Sequence, residues 1–345
     1  MASALPGHGL GFLLLGDLDT RHAVDLARYA DMQGLGSVWL TDEPFFRGAM
    51  PTAAACALAT SRIRIGLGVV NPFDRPPVWM AMDAAVVSEL AQGRAVLGIG
   101  ASWEPPIAKQ GIPFTRPLSA VRDSVAIVQA LLAGERCTYA GRKFAISDVK
   151  LDFVPTAVSL PLYVASMFRR SLVQTGEIAD GVILSVMCPA PYARNAGQLL
   201  REGRARAGRS FDSFGVVQYL VLCVDDDGAR ARRAVKEMLA FFIVHSFGPE
   251  PEHWRQVAEL GEFDLAILAD LHASLAKGGA AHEVIPDEFA RRFGVAGTPR
   301  ECLDLLAEYK AAGVTEAVAL FPQGVDPRAQ IGTLAARVAP EWPRL

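Results

Sequence analysis

GRAVLGIGAS, residues 93–102, is the stretch on which the reading of the whole chain turns. Residues 95–99 form a short, nearly continuous apolar run of the kind found in strands covered on both faces. The run passes through Gly98-Ile99-Gly100, which opens three readings: a dinucleotide-binding turn, another phosphate cradle, or a tight corner. A dinucleotide fingerprint needs a third glycine three residues after the second, so that helix and strand pack closely. Position 103 is Trp, and Pro105-Pro106 argues against a regular helix starting at once. Three strand–helix units already precede the stretch. The better reading is a strand that ends at a ligand-facing mouth, with Gly100, Ala101 and Ser102 small enough for close backbone approach. Trp103 and Glu104 then stand on the rim. A corner that only turns the chain stays open as the alternative.

The same alternation continues outward in both directions. Strands are expected at 9–15, 37–40, 63–70, 95–99, 161–165, 181–185, 216–224 and 316–321. Helices are expected between them, at 20–33, 51–60, 77–91, 118–133, 169–178, 191–207, 229–245 and 299–311. Gly34, Gly93 and Gly313 stop three of these helices, and Asp225-Asp226-Asp227-Gly228 opens the seventh as a dipole-complementing N-terminus. Eight strands alternating with eight helices point to an α/β fold, a (β/α)8 TIM barrel. A doubly wound sheet shares the alternation. Two insertions interrupt it, near 137–154, with a hairpin around Tyr139–Phe144 in prospect, and near 248–296, expected to be partly helical. No linker is visible, so residues 1–345 read as one domain.

Bulk composition narrows the function classes. The chain is 51% hydrophobic, with a net charge of −3, which offers no global attraction for nucleic acid or an anionic membrane. The basic run 201–209 reads as a solvated helix end. Five cysteines, odd in number and never Cys-x-x-Cys, argue against a disulfide framework or a zinc site and fit a cytoplasmic protein. The apolar run 10–15 lacks a basic lead and reads as a strand, not a signal peptide. The six histidines, His8 included, show no ligand spacing, and no metal is expected. Nucleophile-elbow and phosphate-loop motifs are missing. Trp39 and Trp79 are expected in the core, with Met80, Met82 and Met167 as packing residues.

Polar residues recur just past the strands: Asp17; Thr41-Asp42-Glu43 with Arg47; Asn71 with Asp74 and Arg75; and Ser166. A barrel gathers such positions at one mouth.

The order of these motifs resembles the luciferase-like flavin and deazaflavin oxidoreductases, most of all their F420-dependent methylenetetrahydromethanopterin reductase branch. The carrying segments are VWLTDEPFFR (38–47), RIRIGLGVVNPFDRPPV (62–78), GRAVLGIGAS (93–102) and GIPFTRPLSAVRDSVAIVQALLAGE (111–135). They continue with YAGRKF (139–144), LPLYVASMFRRSLVQTGEIADGVIL (160–184) and AGTPRECLDLLAEYKAAGVTEAVALFPQG (296–324).

The resemblance implies a TIM barrel with a deazaflavin, coenzyme F420, across its mouth. It implies a non-prolyl cis peptide at Gly68-Val69, backing the ring. Asp42, Asn71, Gly100, Ala101 and Ser102 match positions lining the ring site. Val164, Ala165, Ser166, Met167, Phe168 and Arg169 match a phosphate-binding turn at a helix N-terminus. Three departures stand out: Glu43 replaces a common His, Ser166-Met167-Phe168 replaces Ser-Gly-Pro, and Ser102-Trp103 replaces Gly-Asp or Gly-Glu. The implied activity is hydride transfer between F420 and a C=C or C=N bond of a small or peptide-borne substrate. Glu43 and then Glu104 are the candidate proton donors, beside Asp42. Alternatively, Glu43 only pairs with Arg47. FMN-dependent monooxygenation, or a cofactor-free binding protein on the same barrel, are the rival functions. The resemblance also implies a homo-oligomer.

Overall fold

The computed structural model describes residues 9–155, 160–248 and 251–345. Its strands are β1 (Leu10–Leu14), β2 (Ser37–Leu40), β3 (Arg64–Val70), β4 (Ala95–Ile99), β5 (Cys137–Ala140), β6 (Ala145–Val149), β7 (Leu162–Ala165), β8 (Gly181–Leu184), β9 (Gly215–Val224), β10 (Gly294–Gly297) and β11 (Glu316–Leu320). β1, β2, β3, β4, β7, β8, β9 and β11 pair in that order, all parallel, and β11 returns to β1. The ring of these eight strands is closed, so none of them is an edge strand and the doubly wound alternative falls away. It is the (β/α)8 barrel expected from the alternation. His8 lies outside the described residues.

β10 was not anticipated. It pairs in parallel with the last four residues of β9, which exchanges β8 and then β11 as neighbours for β10 along its length. Its sequence, Gly-Val-Ala-Gly, is too short and small to stand out by periodicity. β5 and β6 form the hairpin foreseen in the first insertion. The described part of the second insertion is largely helical, with α-helices at Trp254–Gly261, Leu265–Ala276, Ala281–Val284 and Asp287–Phe293.

Residues of alternate parity fill the barrel. Ser37 and Trp39 point inward from β2. The Trp39 ring is fully buried and lies 6.3 Å from Tyr163 and 6.1 Å from Tyr219, an aromatic plug through the barrel centre. Its indole N–H donates to Glu316 at 2.8 Å, and Ser37 and Arg64 bind the same carboxylate. The Glu316 side of this buried pair is well bonded, whereas Nε and Nη1 of Arg64 have no hydrogen-bond partner among the described residues.

Several local expectations are corrected by packing. Trp79 is 59% exposed, because its helix, Pro77–Leu90, is apolar on both faces and the barrel covers only one. Arg204, inside the basic run, is buried and donates to the carbonyls of Ser210 and Ala179, closing a helix end. Pro105-Pro106 does not prevent a helix: Glu104–Ala108 forms a short one, since first-turn prolines lose no hydrogen bond. Asp227 caps its helix as expected, and the five cysteines are free and buried.

Candidate functional site

The opening Gly-Ile-Gly faces β3. There the β3–β4 register shifts between Leu67 and Val70, and the Gly68-Val69 peptide is cis. The resulting bulge swings Val69 toward β4. A side chain at Gly100 would place its Cβ 2.5 Å from Val69 Cγ2, and one at Gly98 would stand 2.3 Å from the Leu67 carbonyl oxygen and 3.0 Å from Val69 Cγ1. The two glycines are therefore the seat of the bulge. The space expected for a ligand at Gly100 is taken by Val69 and Ala165. Gly100 N–H donates to Val70 O at 3.1 Å and locks the strands just beyond the bulge. Gly68 in turn sits under Tyr219, whose hydroxyl a Cβ would meet at 1.9 Å.

The β1 and β2 loops build the adjoining wall. Arg47 donates through its side chain to Asp17 O at 2.7 Å and through its backbone N–H to Gly16 O at 3.1 Å, tying the two loops together. Arg47 thus serves backbone carbonyls, and no Glu43–Arg47 ion pair is formed. The Asp42 carboxylate accepts from Ala49 N–H at 2.9 Å and caps the helix Ala49–Ala59. Glu43 reaches solvent in this concave wall. Protein crowding first, and then the Asp17 carboxylate, push its pKa above the ordinary carboxylate value. Phe45 follows in the left-handed region, at φ 73°, and is exposed.

Beyond β3, Asn71 is buried and accepts from the amides of Phe73 and Asp74, while its amide group donates to Asp74 at 2.7 Å. This Asx turn holds Asp74, which binds Gln110. Ser102 takes φ 62°, Trp103 is 48% exposed, and Glu104 is exposed on the rim as expected.

The turn after β7 is more occupied than the sequence indicates. Ser166 is buried, with its hydroxyl 2.6 Å from that of Thr175 and its N–H on Ile183 O. Met167 O accepts from Tyr192 at 2.7 Å, and Phe168 N–H donates to Ser171 Oγ. At the helix N-terminus, Arg169 N–H donates to Gln256 at 3.2 Å, and the Arg169 guanidinium lies 3.5 Å from Glu259. The helix Trp254–Gly261 of the second insertion is therefore latched onto this turn. The amides of Arg170 and Ser171 have no acceptor among the described residues. Gln256 and Glu259 carry no motif, so only the tertiary structure brings them here. Val164 and Ala165 lie at the strand end, Val164 buried and Ala165 half-buried.

Thr41, named among the polar residues just past the strands but given no role there, carries an unsatisfied atom at this mouth. Thr41 Oγ1 is buried and has no hydrogen-bond partner. The inward parity of Ser37 and Trp39 is the sequence signal that could have picked it out. Surface clefts of 580 and 380 Å³ lie in the helix layer, around Arg116 and Arg142 and around Arg122 and Arg206, and of the candidate residues only Arg169 borders one. No cluster that could hold a metal ion occurs among the described residues.

A profile of the luciferase-like monooxygenases matches residues 3–316. The chain belongs to that luciferase-like family. Among its relatives, a 5,10-methylenetetrahydromethanopterin reductase of Archaeoglobus fulgidus is 30% identical, with 91% of this chain and 93% of that protein covered. An F420-dependent glucose-6-phosphate dehydrogenase of Beutenbergia cavernae is 28% identical, with 93% of each chain covered. The solved F420-dependent tetrahydromethanopterin reductase of Methanopyrus kandleri superposes with a TM-score of 0.86 at 25% identity, over 97% of this chain and 99% of that one. This luciferase-like barrel is an oxidoreductase, as its relatives are.

Proposed function

We propose that this protein is a coenzyme F420-dependent oxidoreductase that moves a hydride between the deazaflavin and a C=C or C=N bond of a small or peptide-borne substrate. The end-to-end likeness to reductases and dehydrogenases named for F420 carries the reading. The residues fit such a group. Thr41 offers an unused buried hydroxyl at ring level, the β3 bulge offers a wall, and two open amides at the start of the helix Arg169–Ile178 suit a phosphate. The deazaflavin, when bound, supplies or accepts the hydride.

The chain's own residues do the rest. Gly68 and Val69 form the wall behind the ring, seated on Gly98 and Gly100. Asn71, Ala101 and Ser102 border it, and Asp42 holds its loop in place by capping. Val164, Ala165, Ser166, Met167, Phe168 and Arg169 make the phosphate end. Glu43, whose pKa crowding and then Asp17 push upward, is the first candidate to pass a proton to the substrate atom next to the one that gains hydride. Glu104, exposed on the rim, is the second donor candidate. The same reading takes the protein to be a cytoplasmic homo-oligomer. Exposed Leu58, Trp79 and Val86, on two neighbouring outer helices, support the association.

Titration with F420 and with FMN, followed by fluorescence, tests the proposal. It expects saturable F420 binding and FMN binding at least tenfold weaker. FMN as the tighter ligand would favour monooxygenation, and binding of neither would leave a cofactor-free barrel.

A further inference from the structure

Thr41 is 8% exposed, and its hydroxyl oxygen touches neither solvent nor any hydrogen-bonding partner. Buried hydroxyls are nearly always paired, and leaving one unpaired is unfavourable unless something else binds it. Its position says what that is. The ladder pairs Leu40 with Leu67, so Thr41, one residue on, stands level with Gly68 at the β3 bulge. Its own N–H continues the ladder to Leu14 O at 3.2 Å, which preserves the inward parity of Ser37 and Trp39. Trp39 and Tyr219 lie one layer below, and Tyr219 reaches Gly68 O at 3.5 Å. The flanking polar groups are already committed: Asp42 to Ala49 N–H, Asn71 to its own turn and Arg47 to backbone carbonyls. Among the described residues, Thr41 is a buried, uncommitted hydrogen-bonding group on the inner wall of this part of the mouth.

We infer that Thr41 is a cofactor-binding residue whose hydroxyl hydrogen-bonds a polar atom on the edge of the deazaflavin ring. This rests on the F420 reading above.

The test compares wild type, Thr41→Val and Thr41→Ser by two readouts: thermal midpoint without cofactor, and the dissociation constant for F420 by fluorescence titration. Valine keeps the shape and removes the orphaned hydroxyl. Thr41→Val is expected to leave the cofactor-free midpoint unchanged or raised while weakening F420 binding about 3- to 10-fold. Thr41→Ser is expected to keep wild-type affinity within about twofold. A structural hydroxyl would give the reverse: a lowered midpoint, or a failure of Thr41→Val to fold, overturns the inference. Equal F420 affinity in wild type and Thr41→Val also overturns it while leaving the cofactor reading intact. Failure of the wild type to bind F420 removes both.

Discussion

Substituting Gly100 by alanine tests how the mouth is built. The new Cβ would lie 2.5 Å from Val69 Cγ2 and 3.2 Å from Ala165 Cβ. Carbon atoms prefer roughly 3.5–4.0 Å, so Val69 must retreat by about 1 Å. Overpacking of this kind typically costs about 1–3 kcal/mol. Val69→Ala alone removes two methyl groups from a half-buried side chain, and so costs less than the ~1.5 kcal/mol that full burial would give at roughly 0.8 kcal/mol per carbon. The double variant loses the 2.5 Å contact and keeps only the milder ones, with Ala165 Cβ at 3.2 Å and Val69 Cβ at 3.3 Å. The two changes should therefore couple by at least about 1 kcal/mol. Gly98→Ala is the control: its Cβ meets the Leu67 carbonyl oxygen at 2.3 Å, which no trimming of Val69 relieves. Urea unfolding followed by circular dichroism reads the four variants and the wild type. Additive effects of Gly100→Ala and Val69→Ala, or a neutral Gly100→Ala, would refute the seat.

Three further outcomes follow from the site. Glu43→Gln should raise the thermal midpoint at neutral pH: a carboxylate whose folded pKa is raised favours folding least when ionised, so the gain should vanish as pH falls below the ordinary carboxylate range, and a pH-independent gain would contradict the account. Asp42→Ala should cost about 1 kcal/mol through the lost helix cap, and Asp42→Asn much less, measured by the same unfolding assay. Glu316→Ala, which strands Arg64 inside the barrel, should destabilise by about 3–5 kcal/mol, and an effect below about 1 kcal/mol would show the network to be dispensable.

The barrel was legible because its strands announce themselves. Runs such as Val38-Trp39-Leu40 and Val96-Leu97 are covered on both faces, and glycines mark the helix ends. The rim positions of Asp17, Asp42, Glu43, Asn71 and Ser166 followed from strand ends alone. What each side chain does there did not follow. Asp42 and Asn71 spend hydrogen bonds on their own loops, and Ser166 pairs with Thr175, because local backbone donors and a neighbouring helix are nearer than any ligand. The role of Gly98 and Gly100 was hidden for a different reason: it depends on Val69, about thirty residues earlier, being turned toward them by the bulge. Gln256 reaches Arg169 across a tertiary contact with no sequence period at all.

A crystal structure of the protein soaked with F420 bears most directly on the central claim. The account predicts the deazaflavin ring against Gly68 and Val69, with a polar ring atom in hydrogen-bond reach of Thr41 Oγ1 and the phosphate at the amides of Arg170 and Ser171. A ring bound away from the third strand, or a mouth with no ring density at saturating F420, would contradict it.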